Sequence, residues 1–324
     1  MVWTRREVGK LVLAAVPGSQ LLLRPASAFG ADKPNSKFSG VQVGLNVPYN
    51  FGNNWMSGDE TLTRCLDLKV SAVELRSQPV EAFLGSPATG GRAGGGGGRA
   101  QTPTPEQAEA QKAAQKAAAE ALRKWRAGVS MDKVKAFRRT WDDAGVRIEI
   151  VKFDGIYAMA DEEIDYCFTL AGTLGAKAIS CEMSVDDTKR LGRFADKHKM
   201  MVGYHGHAAA TPAMWETIFS YAKYNGANVD LGHFVAGNNT SPVPFIKQHH
   251  DRITHVHVKD RKLKDGPNVP FGQGDTPIKE ALQLIRDNKW PIQATIEFEY
   301  PVPPGSDRMA EMAKCIQYCK DALM

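Results

Sequence analysis

From residue 41 onward, short runs of β-branched and apolar residues alternate with amphipathic helical stretches, and the alternation occurs eight times. The runs are VQVGLNV (41–47), AVELRS (72–77), RIEIVKF (147–153), KAISCEM (177–183), MVGYHGH (201–207), NVDLGHF (228–234), ITHVHVKD (253–260) and IQATIEFE (292–299). Stretches of helical period such as MDKVKAFRRTWDDAG and TPIKEALQLIRDNK separate them, and MAEMAKCIQYCKDAL follows the last. A strand–helix unit repeated eight times over about 280 residues predicts an α/β (β/α)8 TIM barrel, whose catalytic groups sit where the strands end. A doubly wound open sheet is the alternative, but no GxGxxG follows the first run to support a dinucleotide site.

Two segments fall outside this rhythm. Residues 1–28 carry Arg5 and Arg6 ahead of an apolar run from Leu11 to Leu23 and a small-residue cleavage site at Ala26-Ser27-Ala28. That pattern predicts an export signal, too short and interrupted to span a bilayer. The stretch TRREVGK resembles the twin-arginine signal of bacterial exported proteins, so a periplasmic or extracellular location is expected for a barrel domain at 29–324. Residues 85–127 read as a low-complexity insertion after strand two: a glycine-rich loop, then an alanine-rich helix from Pro105. No GK[ST] follows the glycines, so they are expected to link rather than to cradle phosphate.

The sharpest local pattern is THVHVKDR. His255, His257 and Lys259 occupy alternate positions with Val256 and Val258 between them, so a strand here shows a chemical face and an apolar one. Inside a barrel covered by helices, the chemical face looks inward and toward the mouth. Other strand ends carry ionisable residues as well: Glu182 on the fourth, His205 and His207 on the fifth, Asp230 with His233 on the sixth, and Glu297 and Glu299 on the eighth. A barrel brings these to one mouth, where carboxylates must be paired or hold a cation. Carboxylates with one or two imidazoles and no thiolate suit one divalent ion, Mn²⁺ first, with Co²⁺, Mg²⁺ or Zn²⁺ as alternatives. The five cysteines have no metal-type spacing and are too irregular for a disulfide framework; Cys315 and Cys319 read as small core residues.

The order Glu182, Asp230-Leu231-Gly232-His233, His255-Val256-His257 and Ile296-Glu297-Phe298-Glu299 resembles the xylose isomerase-like TIM-barrel superfamily, which includes sugar epimerases, isomerases, inosose dehydratase and endonuclease IV. The resemblance implies a metal held by Glu182, Asp230, His257 and Glu297, with His233, and beside it His255 and Glu299, contacting substrate. It implies a sugar isomerase or epimerase working through an enediolate, with a dehydratase of the inosose dehydratase type as the alternative. Epimerases of the superfamily carry a glutamate on strand five, where this chain has GYHGH, and that departure favours the dehydratase side. Glu297 is the candidate base for isomerisation, and His205 or His207 for elimination, while Lys259 either stabilises an oxyanion or forms a salt bridge with Glu299 or Asp260.

Charge narrows the partners. The formal net charge is +5, and residues 1–28 account for three of those charges, which leaves too little for nucleic acid or a membrane surface. A small unphosphorylated sugar or keto-sugar is the expected substrate, because an exported protein seldom meets sugar phosphates and no phosphate-cradling loop is evident. A non-catalytic exported sugar-binding barrel is the reading from a different class. Oligomeric state is left open.

Overall fold

The computed structural model describes residues 33–88 and 104–324. The export signal expected at 1–28 and most of the glycine-rich segment lie outside the described residues.

Eight parallel strands form a closed barrel: β1 (Val41–Val47), β2 (Ala72–Arg76), β3 (Arg147–Lys152), β4 (Ala178–Glu182), β5 (Met201–His205), β6 (Asn225–Asp230), β7 (Ile253–Val258) and β8 (Gln293–Ile296). Each pairs with the next in chain order, and β8 returns to β1 through Ala294 opposite Val43 and Ile296 opposite Leu45. The expected TIM barrel is therefore the fold.

Period-two alternation explains why these strands fill a barrel. Val43, Leu45, Val73, Ile179, Val202, Val229, Val256, Val258, Ala294 and Ile296 are buried in the apolar core. Alternate positions hold Asn46, Glu74, Lys152, His205, Asn228, Asp230, His255 and His257, which are buried too, so the barrel interior is polar. Eleven helices were assigned among the described residues, and most flank the strands: α1 (Gly58–Asp67), α2 (Ser77–Phe83), α3 (Pro105–Gly128), α4 (Met131–Asp143), α5 (Asp161–Leu174), α6 (Val185–His198), α7 (Pro212–Tyr221), α8 (Leu231–Asn238), α9 (Val243–His249), α10 (Ile278–Asp287) and α11 (Arg308–Leu323). On α10 the spacing of Ile278, Ala281, Leu282 and Ile285 puts one apolar stripe against the barrel. Truncating Leu282 to Ala would cost about 2–5 kcal/mol.

The alanine-rich helix of the insertion is present as α3. Its start is fixed by a capping box, with Thr104 and Gln107 exchanging side-chain-to-backbone hydrogen bonds. Most of it is exposed, and its last turn is anchored by buried Arg126, which pairs with Glu81 and Glu163 at 3.0 Å each. All five cysteines are free and buried, in keeping with a core role.

Several strands end earlier than the sequence suggests. NVDLGHF is not one strand: β6 stops at Asp230, whose Oδ1 accepts the backbone N–H of His233 at 2.7 Å and caps α8. His233 therefore stands on the first turn of a helix. His207 lies in the turn after β5, and Glu297 and Glu299 lie in the extended segment after β8. There Asn50 takes over the backbone, donating to the Ile296 carbonyl at 2.7 Å and accepting from Phe298 N at 3.0 Å.

Candidate metal centre and active site

Register decides which side chains meet. Glu182 lies opposite His205, His205 opposite Asn228, and Asp230 opposite His257, so the ends of β4 to β7 present their inward residues at similar heights. His205, Asp230, His257 and Glu297 each bring a ligand atom to the mouth, all within 4.8 Å of one another. Asp230 Oδ2 and His257 Nδ1 are buried and make no hydrogen bond of good geometry, although the first lies 3.1 Å from Lys259 Nζ and the second 3.3 Å from Glu297 Oε2. Buried polar atoms so poorly satisfied are uncommon, and a cation between them would complete both. The mixed oxygen and imidazole set fits a divalent ion of the Mn²⁺, Co²⁺ or Zn²⁺ type.

His257 is held from behind. Its Nε2 lies 2.5 Å from Glu74 Oε2 and 3.0 Å from the Asn228 amide, while Nδ1 faces Glu297 at 3.3 Å and Asp230 at 3.9 Å. Burial opposes charge on this ring, but the Glu297 and Glu74 carboxylates on its two sides carry its pKa up to about 10. Burial would raise the Glu74 carboxyl, yet His257 and His255 hold it well below the usual carboxylate range. His255 lies one layer deeper, 3.4 Å from Glu74 through Nε2 and 2.8 Å from the Thr254 hydroxyl through Nδ1. Burial pushes its pKa down.

Lys259, beyond the end of β7, points its ammonium into the carboxylates. Nζ lies 2.5 Å from Glu299 Oε2, 2.6 Å from Glu297 Oε2 and 3.1 Å from Asp230 Oδ2. These acids raise its pKa despite the opposing effect of burial. Of the two salt-bridge partners expected for Lys259, Glu299 is the one it meets; Asp260 instead accepts backbone N–H groups from Gly272, Gly274 and Thr276. Burial, then Lys259, hold His233 down at about 3, so its ring is neutral. It stands between Arg261 Nη1, 2.8 Å from Nδ1, and Lys259 Nζ, 3.2 Å from Nε2. A neutral imidazole has one acceptor nitrogen, so only one of these cations can donate to it. Tyr49 donates to Glu299 at 2.6 Å, and a cleft of about 440 Å³ opens beside this pair, lined by Tyr49, Asn54, Asn268, Phe298, Glu299 and Arg308.

Glu182 belongs to a different arrangement. One oxygen accepts from buried Lys152 on β3 at 2.6 Å, and the other lies 2.8 Å from Nε2 of the exposed His207. Burial would raise the Glu182 carboxyl, but His207 and Lys152 carry it down to about 2. The hydrogen bond with Glu182 raises His207, while burial beside His257 pushes His205 well below its ordinary value. The two rings are 4.8 Å apart between centroids and nearly perpendicular.

The structure thus brings together Asp230, His257, Glu297, His205, Lys259, His233 and Glu299. Glu182 sits apart from the grouping that contains Asp230, His257 and Glu297, and His205 completes that grouping. His255 lies two residues before His257 on β7, opposite Asn228 rather than Asp230, one layer below the mouth. Glu74, Lys152, Asn228 and Arg261 escaped the sequence reading. The signal for the first two was a charged residue at an inward position of the runs AVELR and RIEIVK, which also carry the charges Arg76, Arg147 and Glu149.

The model of the xylose isomerase-like TIM barrel family matches residues 148–320, and the chain belongs to that family. Among solved structures, a xylose isomerase domain protein from Alicyclobacillus acidocaldarius superposes with a TM-score of 0.59 at 13% identity, covering 87% of this chain and 99% of that one. The probable 3-DHS dehydratase AsbF from Bacillus anthracis superposes with a TM-score of 0.55 at 13% identity, covering 86% and 99%. A D-psicose 3-epimerase gives a TM-score of 0.55 at 11% identity, covering 87% and 99%. No curated protein sequence matches the chain. At these identities the likeness establishes the fold.

Proposed function

We propose that the protein is an exported, metal-dependent enzyme that removes a proton from the carbon beside the carbonyl of an unphosphorylated sugar or keto-sugar, as an isomerase or epimerase acting through an enediolate. The observation that carries this reading is the convergence of Asp230 Oδ2 and His257 Nδ1, both buried and without a hydrogen bond of good geometry, with His205 and Glu297 next to the buried ammonium of Lys259. A divalent ion bound by these four residues would supply Lewis-acid polarisation of the carbonyl. Glu297 accepts the carbon-bound proton, and Lys259 stabilises the negative charge that develops on oxygen. His233, Glu299 and the neighbouring cleft, with its mixture of donors and acceptors, suit the hydroxyls of a sugar. An epimerase and a dehydratase among the structural neighbours are compatible with this shared first step.

One feature favours elimination as a second reading. Glu297 is tied to Lys259 and His257 and held well below its usual range, first against burial and then by those cations, which makes it a weak base. His205, neutral, and His207, raised by Glu182, form an adjacent base and acid of the kind a dehydratase needs.

Metal content is the test of the site. Protein purified without chelator is expected to carry about one divalent ion per chain, and Asp230→Asn or His257→Ala to lose it. Wild-type protein that holds no metal, and whose melting is indifferent to EDTA and to added Mn²⁺, would remove the site and its chemistry together.

A further inference from the structure

His233, Glu297 and Glu299 form a second grouping whose ligand atoms lie within 4.8 Å of one another. The middle of that grouping is filled. Lys259 Nζ lies 3.2 Å from His233 Nε2, 2.6 Å from Glu297 Oε2 and 2.5 Å from Glu299 Oε2, and it also reaches Asp230 Oδ2 at 3.1 Å. We propose that Lys259 is a tethered cation standing in the position of a second metal ion, so that the mouth admits one divalent ion and the chain itself provides the other positive charge. The inference rests on the metal-dependent reading of the neighbouring grouping of His205, Asp230, His257 and Glu297.

Three features support it. Asp230, Glu297 and Glu299 put three carboxylates around one point, two of them almost wholly buried, and such a cluster cannot stay ionised without cations. The ammonium neutralises one of these charges, and a single divalent ion would match the other two once His257 faced it with an unprotonated Nδ1. The lysine is also built into place. Its stem crosses Gly232 at the start of α8, where a Cβ would come within 2.5 Å of Lys259 Cγ, so the glycine makes the room. The next residue, Asp260, is pinned by the backbone N–H groups of Gly272, Gly274 and Thr276, which keeps the strand end from carrying the ammonium away. An ammonium on such a stem gives charge without an exchangeable ligand sphere, and Glu299 is thereby reserved for substrate rather than for a metal.

Equilibrium dialysis against Mn²⁺, read by metal analysis, tests the assignment. The wild type is expected to saturate at one equivalent, Lys259→Ala at two, and Lys259→Ala combined with Glu299→Gln at one again. Lys259→Arg, which keeps a cation, is expected to stay at one. Two equivalents in the wild type, or one in Lys259→Ala, would overturn the proposal. If Lys259→Ala does not fold metal-free, it is refolded with Mn²⁺: recovery with two equivalents supports the proposal, and failure to recover overturns it. No metal in the wild type would instead refute the metal centre itself, so the two failures are distinguishable.

Discussion

Glu74 Oε2 lies 2.5 Å from His257 Nε2 with both side chains shut off from solvent, and this contact decides which nitrogen of His257 faces the barrel mouth. A carboxylate behind a histidine fixes the ring and its tautomer and leaves the other nitrogen for a metal. Glu74→Gln is therefore expected to weaken Mn²⁺ binding about 10- to 100-fold while keeping one equivalent per chain. Competition with a fluorescent chelator gives the comparison, and unchanged affinity would mean that Glu74 does not orient the ligand.

The pair between Lys152 and Glu182 makes a prediction about stability and pH. Glu182→Gln leaves a buried ammonium without its nearest partner; because Glu182 is 46% exposed, the cost is expected at about 2 kcal/mol, below that of a fully buried pair. The Glu182 carboxyl lies at about 2 in the fold, below its unfolded value, so its contribution is present above the ordinary carboxylate range and lost as pH falls toward 2. His207 is raised, so its part is present below its unfolded value near 6.5 and lost as pH rises through the folded one. Urea unfolding should show the largest gap between wild type and variant at intermediate pH, narrowing between about 4 and 2. A gap that is constant with pH would show that the carboxylate charge is not responsible.

Much of this mouth could be read from the chain. THVHVK announced its inward face because period-two alternation survives on a strand whose outer face is covered by helices, and the same logic located Asp230 and Glu297. Glu74 and Lys152 were illegible for the complementary reason. Each is one of several charges in a short strand, and its partner, His257 for Glu74 and Glu182 for Lys152, is 183 or 30 residues away in sequence, brought near across the barrel in the first case and by pairing of neighbouring strands in the second. Strand ends were also misjudged where a side chain takes over the backbone. Asp230 serves as the last residue of β6 and the cap of α8, and in NVDLGHF the change is marked by Asp230 itself, a favoured cap residue, and by Gly232. Glu182 ends its strand as expected, but the distance to the other acids depends on barrel geometry and on the pull of Lys152, neither of which the sequence spacing carries.

Export gives a prediction independent of the barrel. Replacing Arg5 and Arg6 by Lys is expected to hold the precursor in the cytoplasm of a bacterial host, as read by fractionation. Normal export of that variant, blocked only when general secretion is blocked, would rule out the twin-arginine route.

The identity of the base separates the two readings of the chemistry. Compared at saturating Mn²⁺ with metal content measured, Glu297→Gln is expected to keep the ion and bind sugar but to lose turnover about 10²- to 10⁴-fold, the usual worth of a general base. If His205→Ala or His207→Ala abolishes turnover while Glu297→Gln retains it, the base lies on the β5 side and the dehydratase reading replaces the isomerase one.

Exchange of a carbon-bound proton is the most direct test of the central claim. The metal-loaded wild type, incubated in heavy water with a panel of unphosphorylated sugars and keto-sugars, is expected to place deuterium on the carbon beside the carbonyl of at least one of them, read by NMR, and to stop doing so when EDTA removes the metal. Sugars that bind yet never exchange this proton, with or without metal, would contradict an enzyme of this kind and leave a sugar-binding barrel in its place.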